Sequence, residues 1–152
     1  MKDFDDALTE ILATIPRPLA AEQVALPQAL GRVTANPIIA RRTQPPLAVS
    51  AMDGYAVRAS ELPGSLRVTR EIAAGQHDPR DLQPGEAVRI FTGAPLPPGA
   101  DAIAIQENAI AVEGGVRFDD GIDSGRYVRA AGLDFHEGSE LVPAGRIISP
   151  RN

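Results

Sequence analysis

Glycine and proline punctuate this sequence at short intervals, and this spacing most limits what the chain can fold into. The chain has 14 glycines and 14 prolines in 152 residues, and they fall between short apolar runs. Many short strands joined by tight turns have this pattern. The hydrophobic share of 43% and the charged share of 23% argue against wholesale disorder. The sequence therefore predicts a mainly β protein with a few helices.

Charge and cysteine content exclude several classes of function. The net charge is −5 and Lys2 is the only lysine, whereas nucleic-acid binding needs clustered basic residues. Without cysteine the chain has no disulfide frame and no thiolate metal site. Its start lacks the pattern of a signal peptide, and no run of about 18 apolar residues occurs. A cytoplasmic location is the default expectation.

The first 20 residues predict an amphipathic helix. Asp3 is a plausible N-cap, and Pro16 and Pro18 are expected to end the helix. The helical spacing is carried by Phe4, Ala7, Leu8, Ile11, Leu12 and Ile15. This apolar stripe packs either on the chain itself or on a partner surface outside it.

The rest of the chain predicts mostly strands. A short strand is expected at 22–26, a second helix from Pro27 to about Ala35, and a loop at 75–85. Further strands are expected at 66–72, 88–91, 102–106, 108–112, 116–118 and 126–129. The strands 108–112 and 116–118 form a hairpin that Gly114-Gly115 would close.

Three stretches contain candidate functional residues. In PPLAVSAMDGYAVR, residues 45–58, Asp53-Gly54 would ordinarily be a tight turn but lies between apolar residues. Thr92 in RIFTGAPLPPGADAIAIQE, residues 89–107, opens either an anion-binding turn or an ordinary strand-ending turn. Arg129 and Asp134 in VRAAGLDFHEG are either ligand-binding groups or a surface ion pair.

The two histidines do not predict a metal site. His77 and His136 have no acidic or histidine partner at the spacing of metal ligands. We expect both to be exposed loop residues and expect no zinc site.

Together these three stretches, in this order and spacing, resemble the N-terminal region of the molybdopterin molybdenumtransferases, the MoeA and gephyrin E-domain family. The resemblance implies bifurcated, coiled β-sheets in an elongated two-lobe arrangement. It implies an N-terminal helix at 1–20, a small discontinuous lobe from 21–39 and 139–152, and a β-rich lobe at 40–138. The C-terminal pterin-binding and β-barrel domains of the family would be absent.

The resemblance also implies a transferase activity for the full-length protein. Family members insert molybdate into adenylylated molybdopterin with Mg²⁺, releasing AMP, and act as homodimers. The isolated chain is expected to be inactive and not to bind Mg²⁺. Two alternatives remain open: a non-catalytic module for dimerisation and protein interaction, and a free-standing protein that binds a small ligand.

Carried over residue by residue, the family's catalytic positions fall on Asp53, Thr92 and Asp134, with Ser50 and Arg129 as cofactor-binding residues. Asp53 and Asp134 would orient Mg²⁺ or water, Thr92 would donate to a phosphate oxygen, and Arg129 would steady the anion. Asp53 is expected to be open to solvent in this chain. Two departures, Leu133 for a frequent acidic residue and Ala130-Ala131 for a frequent basic pair, argue against strong anion recruitment at this corner.

Overall fold

The computed structural model describes residues 2–14 and 20–152. Contacts between Cα atoms divide the chain into two compact units, Met1–Ile38 with Val142–Asn152, and Ile39–Leu141. The described part is mainly β with one α-helix, which confirms the predicted fold class. The lobe boundaries derived from the sequence stay a prediction.

The first element, α1, spans Phe4–Ala13. Asp3 is its N-cap, as predicted, because the Asp3 carboxylate accepts a hydrogen bond from the Phe4 amide. Ile15, Pro16 and Pro18 lie outside the described residues. The apolar side chains of α1 remain exposed, with Phe4 at 76% and Ile11 at 62%.

The segment after residue 20 differs from the prediction. Residues 22–26 form no strand, and the second helix is reduced to a 3₁₀ turn at Leu26–Gln28. Gly31 adopts φ of +76°, outside the helical region, and its amide donates to the Ile148 carbonyl. Val33 then forms an antiparallel bridge with Ile147. Pairing with a distant segment of the same unit thus replaces the local helical pattern.

The second unit is built on a six-stranded sheet. Its strands are β3 (Gly54–Val57), β4 (Gly64–Ile72), β5 (Glu86–Ile90), β6 (Ala102–Ile105), β7 (Ile110–Val112) and β8 (Gly115–Phe118). Their order across the sheet is β6-β3-β5-β4-β8-β7. β4 and β5 are parallel, and the other neighbours are antiparallel. The predicted strands at 66–72, 88–91 and 102–106 are confirmed within a few residues.

Four further short strands form two two-stranded ribbons. One ribbon pairs β1 (Ile38–Ile39) with β10 (Glu140–Val142), and the other pairs β2 (Val49–Ser50) with β9 (Val128–Arg129). Two further 3₁₀ turns lie at Ala59–Glu61 and Gln106–Asn108. Of the predicted strand at 126–129, the last two residues, Val128 and Arg129, form strand β9.

The predicted hairpin is present, but its turn lies one residue earlier than expected. β7 and β8 are antiparallel, and Val112 pairs with Gly115. The two turn residues are therefore Glu113 and Gly114, with Gly114 at φ of +72°. Gly115 already belongs to β8, so the prediction of a Gly114-Gly115 turn is wrong.

Both faces of the six-stranded sheet carry buried apolar side chains. One cluster holds Val57, Ala59, Leu66, Ala87, Ala102, Ala104, Val116 and Phe118. The other holds Ala56, Ile72, Leu82, Val88, Ile90, Ala94 and Ile103. Successive residues of β3, β5 and β6 alternate between the two clusters, as strand geometry requires. The central strands β3 and β5 therefore have little freedom to shift.

Leu82 joins the long 75–85 loop to this core. Its side chain is fully buried and its amide donates to the Pro98 carbonyl at 2.8 Å. We expect Leu82→Ala to lower the free energy of unfolding by about 2–3 kcal/mol, because it leaves a cavity under the loop. Chemical denaturation would measure this loss. The control Leu133→Ala, at an exposed leucine, should stay within about 0.5 kcal/mol of the parent; an equal loss for both variants would contradict the buried anchor.

Candidate functional site

Asp53 and Thr92 are brought into direct contact by the pairing of β3 with β5. In this antiparallel pair Gly54 lies opposite Ile90, so the residue before β3 meets the residues after β5. The backbone amide and the side-chain hydroxyl of Thr92 each donate to Asp53 Oδ1 at 2.8 Å. Two candidates that are 39 residues apart in the chain therefore form one group.

This contact sets the charge state of Asp53. The pKa of the Asp53 carboxyl is lowered, first by the bond from the Thr92 amide, next by the Thr92 hydroxyl and in smaller part by the charge of Arg89. Asp53 is half-buried rather than fully open to solvent. Oδ1 accepts two hydrogen bonds, whereas Oδ2 accepts none from residues 2–14 and 20–152. An ionised carboxylate thus offers one oxygen to a ligand.

Gly54 follows Asp53 for a reason other than a tight turn. It belongs to strand β3, and a Cβ atom built on it would lie 2.2 Å from the Ala104 carbonyl oxygen. Only glycine lets the backbones of β3 and β6 approach this closely. The Asp-Gly pair therefore does not have its ordinary use in a tight turn, and Gly54 instead begins a central strand.

Ser50 shapes the backbone beside Asp53. It is 0% exposed, and its hydroxyl donates to the Met52 carbonyl oxygen at 2.5 Å. Its backbone amide donates to Ala94 O, and its carbonyl accepts from the Gly93 amide. These bonds tie the segment before Asp53 to the turn after Thr92. The geometry gives Ser50 a structural role, and its assignment as a ligand-binding residue stays a prediction without support from these contacts.

Arg129 lies on β9, where it pairs with Val49 of β2. Its side chain is exposed and forms no ion pair or hydrogen bond within the described ranges 2–14 and 20–152. The surface ion pair with Asp134 that the sequence allowed is thus not formed in this part of the chain. All donors of the Arg129 guanidinium are therefore without a partner within these ranges.

Asp134 is held by its backbone close to the start of the 45–58 stretch. Its amide donates to the Gln44 carbonyl at 3.0 Å, and the Gly132 amide donates to the Pro45 carbonyl at 2.9 Å. The carboxylate is exposed and has no hydrogen-bond partner among the residues that the structure describes. No described contact joins the Asp134 side chain to Asp53 or Thr92. The structure therefore unites two of the three predicted catalytic residues.

Arg89 is a residue of this site that the sequence reasoning missed. Its guanidinium lies over the rings of Tyr55 and Phe91, at 5.2 Å and 4.7 Å from their centroids. Nη1 donates to the Gly54 carbonyl at 2.9 Å. The available signal was its position on β5, alternating with the buried Val88 and Ile90 and two residues before the aromatic Phe91.

The donor chemistry of Asp53 and of Asp134 suits Mg²⁺, but these residues do not by themselves form a metal centre. Proteins often bind Mg²⁺ through one or two carboxylates together with water and phosphate oxygens. Asp53 Oδ2 and the Asp134 carboxylate are hard oxygen donors of this kind. Among residues 2–14 and 20–152, no group of three or more His, Cys, Asp or Glu side chains is arranged to hold a metal ion. His77 and His136 are exposed, as expected.

Removal of the Thr92 hydroxyl tests the electrostatics of the pair. In Thr92→Val the Asp53 pKa should rise yet stay below its ordinary value, because the amide bond, the larger cause, remains. A carboxyl whose pKa is lowered by folding stabilises the fold above about pH 4 and loses this contribution as the pH falls through the folded pKa. The variant should therefore lose less stability on acidification.

An NMR titration of the Asp53 carboxyl carbon and acid denaturation would check both effects. Thr69→Val is the matched control, since Thr69 is exposed on β4 and bonds no carboxylate within the described residues. An unchanged Asp53 pKa in Thr92→Val would contradict the hydrogen bond.

Within residues 2–14 and 20–152, no helix is both long enough and apolar enough to cross a membrane.

Comparison with known proteins shows that the chain matches one protein family over almost its whole length. Residues 2–152 match the model of the MoeA N-terminal region (domain I and II). The molybdopterin molybdenumtransferase 2 of Mycobacterium tuberculosis is 37% identical over 150 residues, covering 92% of this chain and 36% of the relative. The molybdopterin molybdenumtransferase of Haemophilus influenzae is 34% identical over 153 residues, covering 99% and 38%.

A solved structure has the same fold. The crystal structure of the molybdopterin biosynthesis MoeA protein from Pyrococcus horikoshii superposes with a TM-score of 0.87 at 28% identity. The match covers 97% of this chain and 41% of that protein. The chain thus spans about two fifths, or less, of the length of the proteins that it matches.

Proposed function

Because this chain belongs to the MoeA N-terminal region family, we propose that it acts as the N-terminal region of a molybdopterin molybdenumtransferase. In this role it takes part in inserting molybdate into adenylylated molybdopterin during molybdenum cofactor synthesis. The observation that supports the proposal is the Asp53–Thr92 pair, formed by two of the three motifs that carry the resemblance. The pair presents an ionised carboxylate with one free oxygen.

In the proposal, Asp53, Thr92 and Arg129 each have a distinct task. Asp53 Oδ2 accepts a hydrogen bond from a water or ligates a cation, while Thr92 holds Oδ1 in place. The Thr92 hydroxyl hydrogen is committed to Asp53, so Thr92 orients the carboxylate rather than donating to phosphate. Arg129, free of described partners, binds an oxyanion or phosphate through its planar fork. When Mg²⁺ is bound at Asp53 or Asp134, it supplies charge neutralisation at phosphate oxygens.

The proposed site is composite. Asp53, Thr92 and Asp134 supply one wall, and a pterin-binding domain of the homodimeric full-length enzyme supplies the other. The isolated 152-residue chain is accordingly proposed to be inactive and not to retain Mg²⁺.

A chimera tests the function directly. This chain would replace the matched N-terminal region of the Mycobacterium tuberculosis relative, and cofactor formation from adenylylated molybdopterin and molybdate would be measured. We expect activity in the chimera and none in the 152-residue chain. A folded, dimeric chimera without activity would contradict the proposal. Tight binding of molybdopterin, AMP or molybdate by the chain alone in calorimetry would instead favour a free-standing ligand-binding protein.

A second candidate is a non-catalytic module for dimerisation or protein interaction. The exposed apolar side chains of α1, Phe4, Leu8, Ile11 and Leu12, favour it, since large apolar residues grouped on an exposed helix often mark contact surfaces. In this case the carboxylate of Asp53 would be dispensable for cofactor formation, which the Asp53→Asn variant decides.

A further inference from the structure

Arg89 connects three backbone segments around Asp53. Its Nη1 donates to the carbonyl of Gly54, the residue that follows Asp53, and its Nη2 donates to Gln106 Oε1. The backbone amide of Gln106 in turn donates to the Asp53 carbonyl at 3.2 Å. The Asp53 and Gly54 carbonyls are therefore both held, one by Gln106 and one by Arg89.

Two aromatic rings also contact the guanidinium. Arg89 is half-buried and its guanidinium lies over the rings of Tyr55 and Phe91, and such cation–π contacts strengthen when water is excluded. Tyr55 packs edge-to-face on the core residue Phe118, with ring centroids 5.9 Å apart. Phe91 immediately precedes Thr92 in the chain. Arg89 is thus linked to the core through Tyr55. It contacts both the residue after Asp53, Gly54, and the residue before Thr92, Phe91.

We propose that Arg89 is the positioning residue of this site, because it fixes the backbone at Asp53. With the backbone fixed, Oδ1 of Asp53 accepts from both Thr92 donors and Oδ2 is left for the ligand. The inference rests on the proposed function for its catalytic meaning. The contacts of Arg89 described above involve only residues of this chain and do not depend on that function. Arg89 itself touches no substrate in this proposal and acts through Asp53.

The backbone amides of Thr92 and Gln106, which both donate hydrogen bonds to Asp53, can be used to test this role. In the 152-residue chain, hydrogen exchange of the Thr92 and Gln106 amides would be followed by NMR in Arg89→Met and Arg89→Lys. The Met variant removes the charge and both donors. Exchange at these two amides should then accelerate about tenfold, the factor typical of losing one hydrogen bond to a charged group. The Ile103 amide in the core should exchange as before. Arg89→Lys, which keeps a charged donor, should recover part of the protection.

Arg67→Met is the matched control, because Arg67 lies on the neighbouring strand β4 and pairs with Glu86. It should leave the Thr92 and Gln106 amides unchanged. Unaltered exchange at these amides in Arg89→Met overturns the inference. Equal acceleration at Ile103 also overturns it, because Arg89 would then stabilise the whole unit without selectively positioning Asp53.

The chimera provides the catalytic readout. Arg89→Met should lower kcat about tenfold with KM within about twofold, as expected when an oriented group is lost without loss of substrate contacts. A fall confined to KM overturns a positioning role. If the parent chimera is inactive, the proposed function fails, yet the exchange measurements still decide whether Arg89 positions Asp53.

Discussion

Replacement of Gly54 by alanine is expected to lower the free energy of unfolding by about 3–5 kcal/mol. The new Cβ would lie 2.2 Å from the Ala104 carbonyl oxygen and 3.0 Å from the Ile105 Cα. These are backbone atoms of β6, and β3 is also hydrogen-bonded to β5 on its other side. With neighbours on both sides, β3 cannot move away without breaking a ladder. Denaturant unfolding followed by circular dichroism would measure the loss.

Gly121→Ala is the control for this substitution. The nearest atom to a Cβ at Gly121 is the Leu62 carbonyl oxygen at 3.6 Å, an ordinary contact. Its free energy of unfolding should therefore stay within about 1 kcal/mol of the parent. Similar stabilities for Gly54→Ala and Gly121→Ala would show that β3 and β6 can separate, against the packing described above.

Asp53→Asn in the chimera is expected to slow molybdate insertion by about 10²–10³-fold, the range typical of removing a charged or proton-transferring group from an active site. Asparagine has the same shape and can still accept from both Thr92 donors, so the fold should be retained. The negative charge on the free oxygen is lost, and with it the ability to ligate a cation or orient water strongly. Rates would be measured at equal dimer content.

Asp120→Asn serves as the matched control, because Asp120 is an exposed carboxylate outside the 45–58, 89–107 and 128–138 stretches. Its rate should equal that of the parent chimera. An Asp53→Asn chimera as fast as the parent would remove the catalytic role of Asp53. The non-catalytic interaction module would then be the better account of this chain.

Elements with strong local patterns were predictable from the sequence. The N-cap at Asp3, the alternation along β4 and the β7–β8 hairpin depend on residues close together in the chain. The second helix was not predictable, because the bridge between Val33 and Ile147 overrides a weak local preference. The turn shifted by one residue because the register of β8 decides which glycine must turn.

The candidate site shows the same division. Asp53 and Thr92 were each singled out from their own motif, but their contact depends on the register of β3 against β5. Arg89 was missed because one strand arginine resembles any other until its aromatic and carbonyl partners are known. The ligand-binding role of Ser50 stays a prediction, and the structure adds that its buried hydroxyl donates to the Met52 carbonyl oxygen.

The amino-acid sequence by itself determined the mainly β class, the short elements between glycines and prolines, and the motifs that mark the family. These depend on side-chain chemistry and on spacing within a few residues. Only the tertiary structure showed why glycine must follow Asp53 and which oxygen of Asp53 stays free. It alone also showed that Arg89 holds the carbonyl of the next residue, Gly54. Each of these depends on which distant backbone groups lie opposite one another, and the sheet order β6-β3-β5 decides that.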